Sequence, residues 1–209
     1  MSVFFVIVII VGTFSSFLAE KSVRKKLLQK LLLYKSENNA TAYFGLLNTW
    51  LAHLYFSNKT RLIMEVDYYL SYENEEQLKT SVKKLLSLEK INQDILIELM
   101  KVYIYYLEKN QIKEALAIEA HLYRTLDSEN HKKVIKELKL LHGIYITHDI
   151  KLVGMLQNEL ESTTEPQHKM ILIYRLAKLE ELAGDKQKAQ SYFKQLSELS
   201  ENHVKAVAY

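Results

Sequence analysis

Three cations recur at intervals that would bring them together in a folded chain: Lys101, Lys139 and Arg175, 38 and 36 residues apart. If the chain is built of helical units repeating at that interval, the three hold the same place in successive helices and can stack into a basic stripe. His142, Tyr145 and Tyr174 fall beside them. Ammonium and guanidinium groups flanked by phenols suit a carboxylate, because hydrogen bonds to a charged group are the strong ones and each phenol adds a donor. The chemistry so described is recognition of an acidic or C-terminal carboxylate-bearing peptide.

Other chemistries leave no comparable signature. The chain has no cysteine, which excludes disulfides, thiolate catalysis and thiolate-held metals. Its glycines, at 12, 45, 143, 154 and 184, are all isolated, so no phosphate-cradling loop is present. There is no His-Glu-x-x-His and no Gly-x-Ser-x-Gly. His142 and His148 stand six apart and so do not share a helix face as metal ligands would. The acids from Glu73 to Glu76 read as the start of a helix. No catalytic, cofactor-binding or metal residue is assigned, and the chain reads as a non-enzyme. The alternative is an enzyme or regulator whose site is too dispersed to form a motif.

The elements that must position the stripe are helices. Five glycines and one proline in 209 residues are too few for a many-stranded fold with tight turns. Apolar periodicity predicts helices over 20–35, 40–56, 60–72, 75–88, 92–109, 112–126, 130–146, 149–161, 167–183 and 186–199. Short polar breaks separate them. Asn74 and Thr147 to Asp149 are the expected caps, and Pro166 suits a first helical turn. The fourteen tyrosines are expected to fill interhelical space with their hydroxyls at the rim.

The clearest organisation lies near the end of the chain. Ile173-x2-Leu176-Ala177-x2-Glu180, then Gly184-Asp185, then Ala189-x3-Phe193 describe two amphipathic helices and a tight turn. Gly184 supplies a left-handed residue, Asp185 a cap, and Ala177 and Ala189 allow close approach. This segment resembles one tetratricopeptide repeat (TPR), a helical hairpin of ~34 residues that stacks into solenoids. Ala115 stands 74 residues before Ala189, and the same offset sets Asn110 opposite Gly184. The resemblance implies an all-α solenoid of antiparallel hairpins over 36–200, with the first helices lining a concave groove. Lys101, Lys139 and Arg175 would then share that groove, and the chain would be an adaptor or scaffold binding a protein or peptide partner.

Residues 1–19 carry no charge, and Val3–Ala19 is almost wholly apolar. The spacing predicts a transmembrane helix there, near the lower length limit for spanning. A cleaved signal peptide, which would make the protein secreted, lacks a basic n-region and a small-x-small site. Residues 20–35 then form a basic juxtamembrane helix of net charge +5, and residues 201–209 a tail. The position of the basic cluster implies a single-pass cell-membrane protein with a cytoplasmic body. Arg24, Lys25, Lys26 and Lys30 are expected to lie against anionic lipid. Residues 36–209 hold 22 basic and 24 acidic side chains, so nucleic acid is not an expected partner.

Overall fold

The computed structural model describes the backbone of residues 3–88 and 90–207 and the side chains of residues 20–88 and 90–201. Among the described residues there are eleven α-helices and no strand: α1 Val3–Ser36, α2 Ala40–Leu47, α3 Trp50–Tyr55, α4 Asn58–Ser71, α5 Glu75–Leu86, α6 Gln93–Glu108, α7 Ile112–Thr125, α8 Lys132–Tyr145, α9 Leu152–Ser162, α10 Pro166–Leu182 and α11 Lys186–Val207. The predicted helix over 40–56 is broken at Asn48, because the Thr49 hydroxyl caps α3 by accepting from the Ala52 N–H. The expected tail is helical as far as Val207, the end of α11.

The transmembrane helix expected at 1–19 is not supported. Among the described residues no helix is long and apolar enough to cross a membrane. The apolar run has no boundary of its own, since α1 is one helix from Val3 to Ser36. Its described part is amphipathic: Leu27 and Leu31 are buried, while Arg24, Lys25, Lys26 and Lys30 are exposed. Residues 20–35 are therefore a segment of α1 and not a separate juxtamembrane helix. The side chains of residues 1–19 lie outside the described residues. The single-pass placement loses its support with the spanning helix.

The backbone repeats more regularly than the side chains do. Among the described residues five have positive φ: Asn38, Glu73, Asn110, His148 and Gly184. They stand 35, 37, 38 and 36 residues apart, and each follows the end of a helix: α1, α4, α6, α8 and α10. The next N–H then reaches back five residues, from Asn39 to Tyr34 (2.9 Å), Asn74 to Tyr69 (3.0 Å), Gln111 to Tyr106 (2.7 Å) and Asp185 to Glu180 (2.9 Å). This is the Schellman closure, which satisfies carbonyls left open at a helix end. At His148 the closure is one residue wider, from Asp149 to Gly143 (2.8 Å). A second helix starts soon after each turn, capped by Asn39, Asn74 and Asp185 at three of the five. Helix pairs recurring at this interval are compatible with a helical-repeat fold.

The chain divides into two compact units, Met1–Met100 and Lys101–Tyr209. In the first, Leu27 and Leu31 of α1 pack with Tyr43 and Leu47 of α2, Ala52 of α3, Phe56 just after α3, and Tyr68 of α4. The end of α1 is clamped by α4: Lys35 pairs with Asp67, Tyr68 donates to Asn38 Oδ1 at 3.1 Å, and Tyr72 donates to the Lys35 carbonyl. Lys35 is thus engaged inside the protein, unlike the exposed cations earlier on α1.

In the second unit α10 packs against α8, α9 and α11. Leu138, Ile144, Leu156, Leu172, Leu176, Ala177 and Leu179 are fully buried there. Ala189 of α11 is 3% exposed, as its smallness at a close helix contact requires.

Two glycines serve different ends. A Cβ on Gly143 would meet Leu152 Cδ1 at 2.5 Å, so a side chain there would require the end of the Leu152 side chain to move aside. Gly184 has open space around a Cβ but a φ of +94°. Gly184→Val should therefore destabilise through the backbone alone, by about 1–2 kcal/mol. Gly184→Asn should cost less, because Asn110 holds the equivalent left-handed place. Urea melts of the two variants give the comparison.

Candidate functional site

The candidate site is built in the second unit from α6, α7, α8 and α10. Tyr145 is the last residue of α8, and Tyr174 lies on α10. Both hydroxyls donate to Oε1 of Glu108, the last residue of α6, Tyr174 at 2.8 Å. Lys178, one turn along α10 from Tyr174, brings its Nζ to 4.0 Å from Glu108 Oε2 and to 2.7 Å from Glu181 Oε2. One carboxylate is thus held by groups from the first helices of two other hairpins. Burial raises the Tyr145 hydroxyl far above the ordinary phenol range, and the bond to Glu108 adds to this. Burial, then the same carboxylate, pushes Tyr174 up to about 12.

Two further carboxylates complete the seam. Glu119 of α7 is buried and accepts from Tyr103 Oη at 3.0 Å. It also accepts from His142 Nδ1 at 3.0 Å, so that nitrogen carries a proton. Glu137 of α8 pairs with Arg175 of α10. Tyr103 is fully buried, and burial followed by the Glu119 charge raises its hydroxyl. Its hydroxyl therefore sits inside the interhelical space and not at the rim.

The residues marked by sequence spacing separate into two groups. Tyr145 and Tyr174 meet on Glu108. Arg175 is joined to Glu137 and His142 to Glu119, while Lys101 and Lys139 are exposed on α6 and α8. The cations and phenols found by spacing thus lie within a seam that already holds three of the chain's own carboxylates. Glu108, Glu119, Glu137 and Lys178 were missed. Their only sequence signal was acidic and basic residues on helices already assigned, with nothing to pair them across 38 or 66 positions. Among the described residues no group of three His, Asp or Glu side chains is placed to hold a metal ion.

Beside the seam, His121 of α7 is 6% exposed, and its Nδ1 lies 3.2 Å from Arg124 Nη2. Burial first, and the Arg124 charge second, lower its pKa from 6.5. The unfolded chain therefore takes up this proton before the folded chain does. The resulting stability is complete above pH 6.5 and is lost as pH falls from there through the lowered value. His121→Gln should flatten that part of the pH–stability curve relative to wild type in urea melts at stepped pH.

Comparisons of the chain with protein-family models, with curated proteins and with solved structures find no match.

Proposed function

We propose that the chain is a TPR-like interaction module, an adaptor or scaffold without catalytic activity. Its second unit takes a protein or peptide partner bearing a carboxylate across the first helices α6, α8 and α10. The observation that carries the reading is the Glu108 cluster. Two phenols and an ammonium from α8 and α10 converge on one carboxylate, with Lys101 and Lys139 exposed on the same set of helices. The hairpin recurrence supports it as well, because stacked first helices present side chains from successive repeats to one ligand. An incoming carboxylate takes the donors that Glu108 now uses, and Glu108 turns outward to water. Nucleic acid is not a partner in this reading, since residues 36–209 are slightly acidic.

Fluorescence polarisation tests this with labelled peptides of matched length: an acidic one with a free C-terminus, its Gln-substituted amide, and a basic one. The acidic peptide should bind, with affinity falling as salt rises. Equal binding of all three, or of none, contradicts the proposal.

A further inference from the structure

A second surface lies wholly within the first unit. Trp50 and Leu54 stand one turn apart on α3 and are 73% and 65% exposed, while Ala52 between them is buried. On α1, Leu28 and Leu32 are 39% and 57% exposed, beside the buried Leu27 and Leu31. Arg24, Leu28 and Leu32 recur every four residues and so form one stripe along α1. Arg24 of that stripe lies 5.9 Å from the Phe56 ring at the end of α3. The stripe therefore starts beside the end of α3, and α1 and α3, which carry the exposed Leu28 and Leu32 and the exposed Trp50 and Leu54, pack against each other.

The charge around this patch is predominantly positive, with Glu20 the one acid of residues 20–35. Residues 20–35 carry a net +5, and no Asp or Glu occurs between Glu37 and Glu65. Arg24, Lys25, Lys26 and Lys30 are exposed over two turns of α1. The Arg61 guanidinium adds to them at α3, where its Nη1 lies 2.6 Å from His53 Nε2. Apolar residues rimmed by long cations are what a surface lying in an anionic headgroup layer needs. The rings and leucines enter the acyl boundary while the cations reach the headgroups.

We propose that the α1–α3 face bearing Trp50, Leu54, Leu28 and Leu32 docks on an anionic lipid surface. The folded unit lies on the membrane in this contact, and no part of the contact requires a spanning helix.

Trp50 is the only tryptophan of the chain, so its emission reports this face alone. Vesicles of phosphatidylcholine with phosphatidylserine are added to the full-length protein, with bromine on the acyl chains of a parallel set. The Trp50 emission should shift to the blue and be quenched by the bromine, and both effects should fade as salt is raised. The variant R24E/K25E/K26E/K30E should lose both with its circular dichroism unchanged. The salt series on wild type gives the same test without relying on a variant's folding. An unshifted Trp50 in protein that sediments with the vesicles overturns the proposal. So does an equal shift on pure phosphatidylcholine. A shift that grows with protein concentration in the absence of lipid overturns it too, because the occupant is then a second copy of the chain.

Discussion

Leu176→Ala is expected to cost about 2–5 kcal/mol of stability. Leu176 is fully buried on α10, which packs against α8, α9 and α11. With neighbours fixed on three sides, the site cannot collapse to fill the space left by the side chain. The loss is then the transfer term together with most of the cavity term. Leu116→Ala is the control, since Leu116 on α7 is 39% exposed and its truncation should cost under about 1 kcal/mol. Urea midpoints at constant m-value measure both. A Leu176→Ala midpoint equal to that of Leu116→Ala would remove α10 from the centre of the second unit.

The second large effect is at Glu119. Replacing it by Leu strands the Tyr103 hydroxyl, which is buried with Glu119 as its partner at 3.0 Å. An orphaned buried hydroxyl costs about 1–3 kcal/mol. The half-exposed His142 can turn to water and adds less. Glu119→Gln keeps an acceptor and should cost less than Leu. The decisive form is a cycle with Tyr103→Phe. Once the hydroxyl is gone, Glu119→Leu should lose much of its penalty, with a coupling of roughly 0.5–3 kcal/mol. Additive losses would mean that the two side chains act independently.

What the sequence disclosed was what neighbours along the chain decide. The helix ends around Gly184, Asp185, Asn74 and Pro166 follow from capping and backbone preferences that act within a few residues. The burial of Ala189 and Leu176 follows from helical periodicity. The left-handed turn at Glu73 was not legible, because Glu does not favour that conformation and only the packed hairpin imposes it. The seam was half legible for a related reason. Spacing selected Tyr145, Tyr174, Arg175 and His142, but their partners Glu108, Glu137 and Glu119 stand on other helices. The apolar run of 3–19 was legible as apolar. That it belongs to a helix continuing unbroken to Ser36 was not, because Glu20 and the basic residues after it favour helix as well as any boundary.

The central claim is that α6, α8 and α10 receive a partner's carboxylate at the place Glu108 now fills. The most direct measurement is the affinity of the acidic free-carboxylate peptide for wild type, Glu108→Gln and Tyr145→Phe/Tyr174→Phe. Glu108→Gln removes the competing charge and should bind the peptide more tightly than wild type. The double Phe variant loses both phenol donors. It should bind about tenfold or more weakly, since a hydrogen bond to a charged group contributes ~1.5–3 kcal/mol. Three equal affinities would contradict the account, and tighter binding by the double Phe variant than by wild type would reverse it.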